Sequence, residues 1–133
     1  AGRRAMLLRI GQGRDAVAVV MMHLALGSRT RNLQLAYVRE LLQDYRHFVL
    51  MGDLNTQPDE LLQRSPLRGL ALHAAQQAAT FPSWKPSRCL DHILLSDTLQ
   101  SEGARVVPYA VSDHLPVATE LILPPTLATL QVP

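Results

Sequence analysis

An aspartate and a histidine adjoin in Ser112-Asp113-His114-Leu115-Pro116-Val117, just before an apolar, strand-like run over residues 117–123. A hard cation prefers oxygen ligands, and phosphoryl chemistry near neutral pH needs an imidazole close by. One turn can present both when a strand start fixes their directions, because successive side chains leave a strand toward opposite faces. Three further segments place polar groups in or at the end of apolar runs: His23 after residues 17–22, Gly52-Asp53-Leu54-Asn55 after residues 48–51, and Asp91 ahead of residues 93–95. Polar groups at strand ends form the rim of a sheet, where a rigid scaffold can aim several at one ligand. Each has a bland alternative. Asx residues beside glycine are common in ordinary turns, and a structural Asp–His hydrogen bond looks identical in sequence.

The surrounding pattern supplies elements that can position these groups. Residues 5–10 and 16–22 read as a hairpin around the turn-rich Gly11-Gln12-Gly13-Arg14-Asp15. Thr30 can cap a helix running to about Asp44, with Leu35, Val38, Leu41, Leu42 and Tyr45 at helical spacing. Residues 47–51 form a short buried strand ending at Gly52. Pro58-Asp59-Glu60 opens a second, shorter helix, with proline in a tolerated first-turn position and acids at the positive dipole end. Residues 71–79, rich in Ala and Gln, suit a helix or a loop, and strands follow over residues 91–95, 104–109 and 116–123. The tail, residues 124–133, is apolar but broken by prolines, and loose attachment is expected. Such an order suggests one sheet backed by helices on a single face.

Composition sets outer bounds. At 133 residues and 47% hydrophobic content the chain can bury one modest core, hence one domain at most. A net charge of +2 is too small to argue for binding a long polyanion by charge alone. No apolar run approaches the roughly 20 residues of a membrane span. The start, Ala1-Gly2-Arg3-Arg4, has neither Met nor a signal-like apolar stretch, so a cut N-terminus is expected. The single Cys89 has no partner for an intrachain disulfide, so an oxidising compartment is not required and a cytoplasmic location is expected. No motif puts a base beside Cys89, which favours a buried structural thiol over a nucleophile.

In order and in flanking residues, four segments together resemble the C-terminal half of the endonuclease/exonuclease/phosphatase (DNase-I-like) superfamily. They are His23-Leu24; Gly52-Asp53-Leu54-Asn55; Thr80 with Trp84 and Pro86 ahead of Leu90-Asp91-His92-Ile93-Leu94; and Ser112-Asp113-His114-Leu115-Pro116-Val117. The resemblance covers residues 4–123 and implies an α/β (α+β) fold: one layer pair, a sheet plus helices, of a four-layer α/β/β/α sandwich. Residues 1–123 would be the C-terminal part of such a domain and residues 124–133 a proline-containing tail. The family's N-terminal half carries a phosphate-contacting Asn and a metal-binding Glu, and neither motif occurs here. A sheet built to pack on a partner exposes an apolar face when alone, so the missing half or a second copy is expected against it.

Carried over by motif, the resemblance implies a Mg²⁺- or Mn²⁺-dependent phosphoesterase. Asp113 would ligate the metal, and His114 would act on the attacking water or stabilise phosphorane charge. Asp91 would orient His114 and raise its basicity. Asp53 would orient the nucleophile or assist the leaving group, Asn55 would donate to a phosphoryl oxygen, and His23 would stabilise the phosphate or protonate the leaving oxygen. Substrates across the superfamily include nucleic acids, inositol phosphates and lipid headgroups, and the sequence does not choose among them. The competing expectation is a non-catalytic binding or assembly module acting through the exposed sheet face. Phe81, Pro82, Trp84 and Pro86 shape the rim, with packing their simplest role. His92 should point away from Asp91, His47 and His73 lack any motif, and Arg29, Arg31 and Arg46 either steer phosphates or coat a solvated helix face.

Overall fold

The computed structural model describes residues 3–128, so Ala1, Gly2 and residues 129–133, including the rest of the expected tail, lie outside it. Strands β1 (Ala5–Ile10), β2 (Val17–His23), β3 (His47–Asp53), β4 (Leu72–Ala74) and β5 (Asp91–Ser96) form one sheet in the order β1-β2-β3-β5-β4. Helix α1 (Ser28–Leu41) connects the parallel pair β2 and β3, and β1 lies antiparallel on β2 as the expected hairpin. Helix α1 starts at Gly27 rather than at Thr30, which sits inside its first turn. The buried Arg31 closes that end by donating to the carbonyls of Leu26 at 2.7 Å and Ala25 at 3.3 Å. Arg31 is therefore structural and not a phosphate-steering group.

Alternation along the strands separates two apolar layers. Ala18, Val20 and Met22 of β2 pack with Phe48, Leu50 and Leu94 against Leu35, Val38 and Leu42 of the helical layer. On the other face Val17, Val49, Ile93 and Leu95 are buried with Leu99 and Leu127. The expected second helix is a π-helical turn, Glu60–Arg64, burying only Leu61. Residues 71–79 yield the short edge strand β4, because Leu72, His73 and Ala74 find an open ladder edge on β5 that outweighs their helical preference.

The chain also departs from a single sheet. Strands β6 (Gln100–Val106) and β7 (Val117–Ile122) make a separate antiparallel pair, irregular between Glu102 and Arg105. Val117, Leu121 and Leu123 pack over part of the second face of the larger sheet. The tail is not loose up to residue 128: α2 (Pro125–Ala128) inserts Leu127, which is 6% exposed, and Thr126 Oγ1 donates to Asp15 at 2.8 Å. Beyond this cover the face stays open, with Met6 and Leu8 of β1 and Met21 of β2 all in one layer and 40–61% exposed. The apolar face expected from the sequence is thus present, but its β5 side is covered from within the chain.

Candidate active site

Sheet register assembles the site. His23 pairs with Asp53 across β2 and β3, and Asp53 pairs with Asp91 across β3 and β5, which puts three polar residues in one row at one sheet edge. Residues directly opposite in a ladder project to the same face, so the row converges. The segment after β6 then delivers Asp113 and His114 to this edge just before β7. His23, Asp53, Asn55, Asp113 and His114 line one cleft of about 470 Å³. Asp53, Asp91 and His114 also line the recess adjoining it.

His114 lies at the centre. Its Nδ1–H donates to Asp91 Oδ2 at 2.7 Å, and its Nε2 stands 3.6 Å from Asp53 Oδ2. The same Asp53 oxygen is 3.4 Å from His23 Nε2, so one carboxylate bridges two imidazoles. Partial burial pulls the His114 pKa down. The hydrogen bond to Asp91 and the charges of Asp91, Asp53 and Asp113 overcome that and hold it above the ordinary 6.5. A raised imidazole pKa contributes stability that is complete below the ordinary value and fades as pH rises through the folded one. Asp91→Asn is therefore expected to lower the His114 pKa, read from imidazole proton shifts during an NMR titration of the metal-free protein. An unchanged titration would mean that Asp91 does not control the ring.

The supports behind these groups come from separate segments. Buried Thr80 donates to Asp91 Oδ2 at 2.5 Å while its oxygen accepts the backbone N–H groups of Leu90 and Asp91. The ring of Phe81 packs at 4.7 Å from that of His114. Leu115 N–H donates to Thr80 O and Ser83 N–H to Asp113 O, both at 2.8 Å, which ties the His114 segment to the loop ahead of β5. Asn55 adopts φ +52, accepts strain that Asn tolerates better than most residues, and donates from Nδ2 to Leu24 O at 2.7 Å. Its own N–H donates to Asp53 Oδ1 at 3.0 Å, so the turn orients the carboxylate.

Residues outside the constellation also find their places. His92 points away from Asp91 as expected. It is fully buried, its Nε2–H donates to Thr56 O at 2.7 Å, and burial pushes its pKa down. Cys89 is buried beside it with a thiol pKa pushed up, in keeping with an inert core group. His47 and Arg46 sit against Asp15 at the opposite end of β3 from Asp53, away from the cleft. Trp84 does not pack: it is 75% exposed, because Phe81 rather than Trp84 turns inward to the histidine. Sequence inspection singled out Thr80 without its role. It missed Arg3 and Arg88, which line the cleft and carry no motif signal.

Solved structures share this fold. The chain matches a mannosyl-6-phosphatase of Bacteroides thetaiotaomicron VPI-5482 at 19% identity and a TM-score of 0.64, over 81% of this chain and 52% of that one. Humanized D. rerio TDP2 aligns at 15% identity and a TM-score of 0.68, covering 90% of this chain and 61% of that one. The endonuclease domain of TRAS1, a telomere-specific non-LTR retrotransposon, gives 18%, 0.68, 90% and 62% for the same quantities. These likenesses establish the DNase-I-like fold, of which this chain spans roughly half to three-fifths of each structure's length. No curated protein matches the sequence. A family model for the endonuclease/exonuclease/phosphatase family does match, over residues 8–114, and so runs from β1 to the central histidine. With the motif order, the sheet edge that gathers it and this match in agreement, the chain belongs to the endonuclease/exonuclease/phosphatase family.

Proposed function

We propose that this chain carries one half of a metal-dependent phosphoesterase active site, which hydrolyses a phosphodiester or phosphomonoester by in-line attack of water. The observation that carries the reading is His114, held by Asp91 at Nδ1 while Nε2 faces Asp53. With the Nδ1 proton committed to Asp91, the proton that moves is the one at Nε2. Neutral, Nε2 takes a proton from water; protonated, it donates to a phosphoryl or leaving oxygen. The upward shift extends the pH range over which the ring is protonated, which suits stabilisation of charge as it develops on phosphoryl oxygens. Asn55 uses one of its two amide protons on Leu24, and the other, with no acceptor among the described residues, can donate to a phosphoryl oxygen. His23, whose side chain is 60% exposed, supplies a second imidazole on the leaving-group side.

The carboxylates fit a hard divalent cation such as Mg²⁺ or Mn²⁺. Asp53 and Asp113 both face the cleft, and Mg²⁺ is commonly held by one or two carboxylates with substrate phosphate. Asp53, Asp91 and His114 also offer ligand atoms within 4.8 Å of one another. A cation shared by Asp91 and His114 would displace the proton between them, so Asp113 with Asp53 is the better holder. When bound, such an ion neutralises phosphoryl charge as a Lewis acid. Hydrolysis of bis(p-nitrophenyl) phosphate by the intact protein is expected to stop in EDTA and return with Mg²⁺ or Mn²⁺. Asp113→Asn is expected to raise the metal concentration needed by at least about 10-fold. Activity indifferent to both treatments would exclude the metal role.

A second reading rests on the open apolar layer of Met6, Leu8 and Met21. Methionine surfaces adapt to varied partners, and a patch of this kind is a protein-docking feature. In the complete protein the face receives the other half of the sandwich or a second copy of the chain. If the metal-loaded protein hydrolyses no phosphate ester, docking through this face becomes the function. Among the described residues no helix is long and apolar enough to cross a membrane.

A further inference from the structure

The cleft contains two guanidinium groups that the constellation above does not use. Arg88 and Arg3 both line it, together with the carboxylates of Asp53 and Asp113. Among the described residues neither arginine forms an ion pair with those carboxylates or with any other. A guanidinium in a cleft with carboxylates, yet paired with none, keeps its forked donors for an anion from outside.

The anchoring of Arg88 makes it the more informative of the two. Its backbone is bridged to Phe81 in both directions, with Arg88 N–H donating to Phe81 O at 3.0 Å and Phe81 N–H to Arg88 O at 3.1 Å. Thr80 N–H also donates to Arg88 O, at 2.8 Å. Thr80 holds Asp91 and Phe81 packs on the His114 ring, so the main chain of Arg88 is fixed to the segment that fixes the proton-transfer pair. The side chain of Arg88 is exposed, but it reaches into the cleft from a mount that is fixed relative to the proton-transfer pair. That is the requirement for reading a second anionic group on the same substrate.

We infer that Arg88, with Arg3 lining the same cleft, binds a second phosphate of the substrate next to the one hydrolysed, so that the protein prefers substrates carrying two neighbouring phosphates. This rests on the phosphoesterase reading and names its substrate class. The second phosphate is bound alike in the ground and transition states, so its contribution appears mainly in KM.

Two matched substrate pairs test this with the intact protein and Mg²⁺ or Mn²⁺: a dinucleotide with and without a terminal phosphate, and a hexose bisphosphate against the monophosphate. The unmodified protein is expected to favour the doubly phosphorylated member of at least one pair by about 10- to 100-fold in kcat/KM, and the pair that responds identifies the source as a nucleic-acid strand or a small phosphorylated metabolite. Arg88→Gln is expected to collapse that ratio through KM, and Arg88→Lys, which keeps charge but loses the fork, to restore part of it. The ratio is read within each variant, so a loss of folded protein cancels. An equal ratio in the unmodified protein and Arg88→Gln overturns the inference while leaving hydrolysis intact. No hydrolysis of any probe overturns the phosphoesterase reading, and the inference falls with it.

Discussion

Replacing His114 by alanine is expected to reduce turnover of a phosphodiester by about 10²- to 10⁴-fold, the range by which a positioned acid or base ordinarily contributes. The ring is engaged on both sides, by Asp91 at 2.7 Å and Asp53 at 3.6 Å, whereas His23 meets only Asp53 and has no carboxylate at its other nitrogen among the described residues. Alanine also leaves the carboxylates of Asp53 and Asp91 without the imidazole between them. Asp91→Asn keeps the ring but weakens control of its tautomer, so its loss should be smaller than that of His114→Ala. The two act as a unit, and the double variant should be little worse than His114→Ala alone. Single-turnover rates at saturating metal, with circular dichroism as a check on folding, measure all three. Equal activity in His114→Ala and the unmodified protein would rule out the mechanism.

The second large effect concerns Gly52. Its φ of +130° lies in a region essentially reserved for glycine, and a Cβ built there would stand 2.0 Å from the carbonyl oxygen of Met22. The obstruction is backbone on the neighbouring strand β2, which cannot swing away as a side-chain tip would. Gly52→Ala is expected to cost about 2 to 6 kcal/mol, summing backbone strain with overpacking. The measurement is urea denaturation followed by circular dichroism. Gly13→Ala is the control: it too has positive φ, at +70°, but nothing lies within 4 Å of its Cβ position, so only the strain term applies. Equal losses in the two variants would show that the close approach of β2 and β3 does not matter. Gly52 immediately precedes Asp53, so the surviving folded fraction of Gly52→Ala should also lose activity.

Continuous apolar runs made β2, β3 and β5 legible, because strands buried on both faces need them whatever their partners. The spacing of Leu35, Val38 and Leu42 likewise gave α1, since all three turn to the sheet. Local pattern failed where long-range pairing decided. Leu72 to Ala74 is a strand only because β5 offers an unpaired edge, and residues 100–106 pair with β7 rather than joining the main sheet. Tail attachment through Leu127 and the Thr126–Asp15 hydrogen bond joins residues 111 apart, a separation no local rule can register. Trp84, which packing was expected to bury, stands in solvent because Phe81 takes the inward place.

For the site, the sequence alone determined which groups are present and that each stands at the end of an apolar strand: His23, Asp53 with Asn55, Asp91, and Asp113 with His114. Side-chain chemistry and period-two burial are local properties, carried wherever the residues occur. Only the tertiary structure decided that His23, Asp53 and Asp91 share one row of the sheet and that His114 donates to Asp91 while facing Asp53. It alone brought in Thr80 as the group fixing Asp91, and Arg88 as a cation in the same cleft with no ion pair among the described residues. Register and loop closure set those relations. They depend on contacts between segments tens of residues apart, whose energies no single segment contains.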